Sequence, residues 1–196
     1  MEALRASGED TMGKTGGVVG PPLLMTRAAA FVAVGVALGF LLAPVPNVEL
    51  VTATCFCAGY LLGAGPGVLC SMLMEALFAG FHPMGSSAGL TLVAQCLGMG
   101  GAGLLGALCA PLTRSSSRTL RVVLVTLFGI GATIWFDLLT NLAFPVAAGF
   151  SFEQTMASMV LAVPFAAIHL GSNALVFCLI VAPVLPKLVP IIEHPI

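Results

Sequence analysis

Apolar stretches separated by short polar segments fill almost the whole chain after Gly20. A helix that spans a bilayer needs about 20 predominantly apolar residues. The pattern therefore predicts six membrane-spanning helices, at residues 23–43, 48–63, 66–82, 89–111, 119–144 and 156–185. The second and third are short, and Pro66 with several glycines separates them. Such residues are tolerated in lipid where neighbouring helices satisfy the freed backbone groups, so we expect this pair to pack inside the bundle.

Composition supports the same fold class. Hydrophobic residues make up 59% of the chain and charged residues 8%, with a mean hydropathy of +1.10. A soluble domain of this composition would lack the polar surface that keeps it in solution. We predict an all-α integral membrane protein with one six-helix membrane domain, residues 23–190. Residues 1–22 mix charges with glycines and cannot bury a core, so we expect a disordered tail there, and residues 191–196 form a second tail.

The positive charges predict the orientation, because Lys and Arg near span ends are retained in the cytoplasm. They lie before the first span or at its start, at the junction of spans four and five, and after span six: Arg5, Lys14, Arg27, Arg114, Arg118, Arg121 and Lys187. All of them share one side of an even-numbered topology. We therefore expect both termini and both tails in the cytoplasm, with Glu49, His82 and Glu153 near the outer face.

Two classes of function find no support in the sequence. No basic patch with interleaved aromatic residues indicates nucleic-acid binding. The six cysteines lie within predicted spans, and no Cys or His spacing suits zinc. We predict neither a nucleic-acid partner nor a metal site.

Polar side chains recur inside the predicted spans, where they are expensive and usually face the bundle or a watery cavity. Several share one helical face at spacings of three, four or seven residues. They are Glu75 and His82 in span three, Gln95 in span four, Asp137 and Asn141 in span five, and His169 and Asn173 in span six. Two hypotheses remain: these groups bond only to one another across the bundle, or they line a binding cavity.

The first span carries two lines of small residues. Ala29, Ala33 and Ala37 repeat every four positions, and Gly35 with Gly39 forms a second line. Small residues let another helix backbone approach closely. The alanine line either packs within its own bundle or docks a different protein.

Taken in order, these motifs resemble the S components of energy-coupling-factor (ECF) transporters, small six-helix membrane proteins that capture vitamins for a shared energising module. The likeness extends from about residue 24 to 190. It is carried by the alanine run at 29–37, the segments 46–52 and 58–63, Gln95 ahead of the small residues 98–106, the segment 137–141, and the His169-x-x-x-Asn173 pair before Pro183.

The resemblance implies roles for these residues. Ala29, Ala33 and Ala37 would contact the coupling helices of an integral membrane partner. The first loop, with Asn47 and Glu49, would fold over a substrate cavity at the outer face. That cavity would be lined by Asp137, Asn141, His169, Asn173, Gln95, Glu75 and His82.

The resemblance also implies a setting, the cytoplasmic membrane of a prokaryote. Energy would come from two cytoplasmic ATPase subunits, and the S component would topple in the membrane to deliver its substrate. The chain itself would need no cofactor and would hydrolyse nothing. It contains no Walker-type G-x-x-x-x-G-K-[ST] segment.

The ligand and the function class both have alternatives. One Trp and one Tyr give little aromatic surface, which disfavours a flat heteroaromatic ligand and leaves a corrinoid or pantothenate open. Gly85-Ser86-Ser87-Ala88-Gly89 fits G-x-S-x-G, so Ser87 with His169 could form the dyad of a rhomboid-like intramembrane protease. A membrane scaffold subunit is the third hypothesis.

Overall fold

The computed structural model describes residues 20–193, and within that range the chain is helical with short loops and no β-strand. Most of the predicted disordered tail, residues 1–19, and the last three residues, 194–196, lie outside the described part. The helices are α1 (Pro21–Leu42), α2 (Val51–Leu62), α3 (Ala64–Gly80), α4 (Gly89–Thr113), α5 (Arg118–Ala147), α6 (Phe152–Val176), a π-helical turn (Phe177–Val181) and α7 (Ala182–Glu193).

Every predicted span coincides with a helix, and the differences lie at the ends. Helix α1 begins at Pro21, because proline suits the first turn, where its missing N–H is not needed. Residues 21 and 22 are therefore helical and do not belong to a tail. Helix α6 begins four residues before the prediction, since Ser151 and Gln154 form a capping box.

The last predicted span also ends later than expected. A π-helical turn joins α6 to α7, and the helix continues to Glu193. Pro183 lies just beyond this turn and cannot donate an N–H to the carbonyl of Leu179. A widened turn is one way for a helix to pass such a position. Residues 191–193, predicted as tail, are therefore helical.

Helix α2 is the centre of the bundle. Ten of its twelve residues are buried, and it contacts every other helix. An all-round apolar helix is expected in such a position. The prediction that spans two and three pack inside is confirmed for α2 but holds for only one face of α3, where Leu69 is 70% exposed on the other side.

Glycines bring the backbones of α2, α3 and α4 into contact. A Cβ added at Gly59 would overlap the carbonyl of Gly103, and one at Gly67 would overlap the backbone of Gly59. Gly106 meets the backbone of Phe56 in the same way. The three helices can pack this closely only because these positions carry no side chain.

On α1 the two small-residue lines have different roles. Gly35 packs against Met74, and Gly39 packs against Phe78 and Val51. The alanine line, Ala29, Ala33 and Ala37, is exposed. Packing within the bundle thus uses the glycine line and leaves the alanine line on the outside.

The surface and helix lengths are those of a multi-pass membrane protein. Four helical stretches are long and apolar enough to cross a membrane: Pro21–Leu42, Gly89–Thr113, Arg118–Ala147 and Phe152–Ile192. Helices α2 and α3 are apolar but shorter. Large apolar side chains such as Leu41 and Leu161, at 72% and 74%, are exposed along the outside, as expected for contact with lipid.

The two ends of the bundle differ in charge. The 43–50 and 81–88 loops lie together at one end of the bundle, where residues of both line the same cavities. The α4–α5 connection and α7 lie at the opposite end, where Arg114 donates to the carbonyl of Tyr60 at 3.3 Å and Arg121 to that of Thr113 at 3.2 Å. We call the end with the α4–α5 connection and α7 the basic end. The end with the 43–50 and 81–88 loops is the loop end.

Candidate functional site

Four polar side chains meet near the loop end and form what we call the histidine cluster: Glu49, Asp137, His169 and Asn173. His169 Nδ1 lies 2.8 Å from Asp137 Oδ1, and Nε2 lies 3.2 Å from Glu49 Oε1. Asn173 Nδ2 donates to the same Glu49 oxygen at 3.0 Å. Residues from a loop and from two helices, as much as 124 positions apart in sequence, are thereby joined.

His169 lies between two carboxyl groups. Each of its ring nitrogens faces a carboxyl oxygen, and Nε2 also lies 3.0 Å from Asn173 Nδ2. The histidine therefore links Glu49 in the loop to Asp137 on α5.

Glu49 is held on both of its oxygens. Its Oε2 accepts from the backbone N–H of Thr52, at 2.8 Å, in the first turn of α2, where the helix dipole favours a negative charge. Burial alone would raise the pKa of Glu49, but hydrogen bonds from His169, Thr52 and Asn173 and the charge of His169 outweigh it. The pKa therefore lies below its ordinary value of 4.5.

The 43–50 loop is also attached through its backbone. Ser172 Oγ donates to the carbonyl of Asn47 at 2.9 Å. Asn47 has a φ of 57°, a left-handed conformation that asparagine tolerates better than most residues. Two successive parts of this loop are thus bonded to α6.

Two adjoining cavities lie beneath the loops of this end. The loop cavity, about 350 Å³, is lined by Gly39, Leu42, Ala43, Val45, Pro46, Asn47, Val48, Glu49, Phe78, His82 and His169. The acidic cavity, about 290 Å³, is lined by Glu49, Val51, Glu75, Phe78, Ala79, His82, Gly85, Ser87, Gln95, Met99 and Phe136. Glu49, Phe78 and His82 are common to both, so the cavities adjoin.

Predicted residues in the acidic cavity include buried acceptors that bond to nothing. Glu75 is 1% exposed, and its Oε2, like Gln95 Oε1, has no hydrogen-bond partner in the described part of the chain. Asn173 Oδ1, in the neighbouring histidine cluster, is also buried without a hydrogen-bond partner in the described part of the chain. His82 Nδ1 accepts from the N–H of Met84 at 3.2 Å, and its side chain lines both cavities.

Three predicted residues line neither cavity: Asp137, Asn141 and Asn173. Asp137 and Asn173 still belong to the site, because they bond to His169 and Glu49 in the histidine cluster. The amide of Asn141 donates to the carbonyl of Asp137 in its own helix at 2.8 Å. Four residues advance a helix by about 400°, so Asn141 lies one turn further along nearly the same face, and both residues line a groove between α5 and α6.

Several residues that complete the site were not among the predicted site residues. Thr133 Oγ1 lies 3.1 Å from Asn173 Nδ2, and the Thr52 N–H holds Glu49. Thr133 shares the Asp137 face at a spacing of four, and that spacing was a usable signal. Phe78 and Phe136 were missed because an apolar side chain in an apolar helix gives no signal.

The alternative Ser–His dyad does not form in this structure. Ser87 lies in the 81–88 loop and lines the acidic cavity. Both ring nitrogens of His169 face carboxylates, so neither is left to accept the Ser87 proton, as activation would require.

Two further observations bear on identity. Between residues 20 and 193, no group of three or more His, Cys, Asp or Glu side chains is placed to hold a metal ion. In comparisons with known proteins, the chain matches no family model, no curated protein and no solved structure.

Proposed function

We propose that this chain is the substrate-capture subunit, or S component, of an ECF-type importer for a water-soluble vitamin or related micronutrient. One observation carries the proposal: polar side chains from α3, α4, α6 and the 43–50 and 81–88 loops line adjoining cavities at a single end of an apolar bundle. Ligand sites are typically concave and hold a few convergent polar groups.

The proposed topology places six spans in the cytoplasmic membrane of a prokaryote, with both termini inside. The basic end would face the cytoplasm, as its arginines favour, and the cavities would face outward. Helix α2, with 12 residues, is about 18 Å long and crosses only part of the bilayer. Its burial among the other helices makes this length tolerable.

The 43–50 loop would act as the lid of the cavity. It lines the loop cavity and is fastened to α6 through Glu49 and the Asn47 carbonyl. Release of these few bonds would open the loop cavity to the outside, and rebinding would close it over a ligand.

The proposed partners are an integral membrane coupling protein and two cytoplasmic ATPases. The support is the exposure of Ala29, Ala33 and Ala37, which offers a flat helix surface for close packing. Ala33→Trp should abolish uptake and association with the module while ligand binding by the isolated chain continues. The matched control is Ala157→Trp, at an exposed alanine of α6, and unchanged association of the Ala33 variant would contradict this partner.

Thermal unfolding of the purified protein with a panel of water-soluble vitamins tests the function. A specific ligand at one hundred times its Kd should stabilise the protein by about 2.7 kcal/mol. A scaffold subunit would respond to none of the panel, and that result would refute the proposal.

A further inference from the structure

Two carboxyl groups face the acidic cavity, and no lysine or arginine does. Glu49 and Glu75 both line it, and no lysine or arginine lines either cavity in residues 20–193. His169 of the histidine cluster lies between Glu49 and Asp137. Glu75 therefore has no lysine or arginine partner in the cavity lining.

The cavity also has more hydrogen-bond acceptors than donors to pair with them. Glu75 Oε2 and Gln95 Oε1 are buried acceptors without donors. A buried acceptor that has no hydrogen-bond donor lowers the stability of the protein, and a charged acceptor lowers it more than a neutral one. A ligand that brings N–H donors would supply what these two side chains lack.

Aromatic rings form the remaining walls. Phe78 and Phe136 line the cavity, and His82 meets Phe78 edge-on with ring centroids 5.0 Å apart. Aromatic faces attract cations and pack against flat rings. The cavity volumes of about 350 and 290 Å³ lie near the lower limit of ligand pockets, about 300 Å³, and suit a compound of one or two rings.

We infer that the ligand is a small, flat, nitrogen-containing ring compound that is positively charged and presents N–H donors to Glu75 and Gln95. This inference rests on the proposed function and names its substrate class. It reverses two expectations from the sequence, because a flat heteroaromatic ring is now favoured and an acid such as pantothenate is not. An anion in this cavity would meet the carboxyl groups of Glu49 and Glu75 and no lysine or arginine.

Isothermal titration calorimetry on the purified full-length protein in detergent, near pH 7, tests the inference with four probes. Thiamin and pyridoxamine are the cationic rings, and biotin and pantothenate are the acids. We expect at least one cation to bind and neither acid to do so. Glu75→Gln, which keeps the shape and cannot ionise when a cation binds, should weaken cation binding at least tenfold, as loss of a charge-assisted hydrogen bond would.

Glu153→Gln is the matched control, because it makes the same chemical change at an exposed residue of α6 whose carboxylate bonds to Ser151; its affinity should equal that of the wild type. The charge preference of the wild type requires no variant, so the test survives if Glu75→Gln fails to fold. Binding of an acid, or cation binding that Glu75→Gln leaves unchanged, would overturn the inference and leave the proposed function intact. Binding of none of the four, with no response to the wider vitamin panel, would overturn both.

Discussion

The basic end and the loop end of this bundle differ in how many of their buried polar groups have hydrogen-bond partners. At the basic end, Tyr60 and Thr113 share a hydrogen bond of 2.9 Å between their hydroxyl groups, and Arg121 donates to two carbonyls. Four buried side-chain atoms in residues 20–193 have no partner, and three of them, on Glu75, Gln95 and Asn173, belong to the loop end.

This difference separates stability from function. A buried acceptor left without a donor costs about 1–3 kcal/mol, so these three atoms make the ligand-free protein less stable. The glycine contacts of α2, α3 and α4 and the bonded basic end stabilise the fold. The unpaired groups can form hydrogen bonds only when a ligand fills the cavity.

The largest expected effect comes from breaking the glycine contact. Gly67→Leu should destabilise the protein by about 3 kcal/mol or more, because its side chain would meet the backbone of Gly59, which cannot move aside. Gly65→Leu, two residues away with nothing within 4 Å of its Cβ, is the control. Thermal unfolding in detergent measures both, and equal melting temperatures would refute the close packing.

Loss of the central histidine should come next. His169→Leu leaves the carboxyl groups of Glu49 and Asp137 without their shared partner and should cost about 2 kcal/mol, as the loss of a hydrogen bond to a charged group does. His82→Leu, which removes one bond to the Met84 N–H, should cost less than about 1 kcal/mol. If the two variants unfold at the same temperature, the histidine cluster does not fasten the loop.

A substitution in the acidic cavity should act in the opposite direction. Glu75→Met keeps the side-chain length and removes a buried carboxyl that has no partner. We expect the ligand-free protein to gain about 1–2 kcal/mol and to lose ligand binding. Glu153→Met, at the exposed start of α6, should change neither property, and a loss of stability in the Glu75 variant would show that its carboxyl is paired after all.

A smaller loss is expected at the basic end. Tyr60→Phe removes the bond to Thr113 and should cost about 1 kcal/mol, with ligand affinity unchanged. Thermal unfolding measures the loss of stability, and calorimetry measures the ligand affinity. A change in affinity would mean that the two ends are coupled.

The smallest effect concerns pH. Because the pKa of Glu49 in the folded protein lies below 4.5, its bonds contribute full stability above that value and lose it as the pH falls through the folded pKa. The difference in melting temperature between wild type and Glu49→Gln should therefore stay constant from pH 7 to about pH 5 and shrink only at lower pH. A difference that changes between pH 7 and 5 would contradict the assignment.

The sequence predicted the helices well and the site in part. Apolar length located all six helical segments, and the spacing of Asp137, His169 and Asn173 indicated that they share a site. Ser151 and Gln154 form a capping-box motif that indicates the start of α6 and that hydropathy alone does not detect. The π-helical turn after α6 depends on how the helix passes Pro183, which hydropathy does not encode.

The remaining parts of the site depend on tertiary packing. The bonds from Glu49 to His169 and Asn173 require the path of a loop, and local spacing says nothing about it. Asn141 and Asp137 line the same groove between α5 and α6, but only Asp137 bonds to His169, because the packing of α6 against α5 decides which turn of α5 the histidine meets. Whether Ala33 faces inward or outward depended in the same way on the packing of Gly35 and Gly39.

Native mass spectrometry of the protein purified from cells tests the central claim most directly, namely that the loop end exists to hold a small molecule. We predict a single small-molecule adduct, one per chain, on the wild type and on Glu153→Met, and no adduct on Glu75→Met. A wild-type protein that carries no adduct after incubation with the vitamin panel, or an adduct retained equally by Glu75→Met, would contradict it.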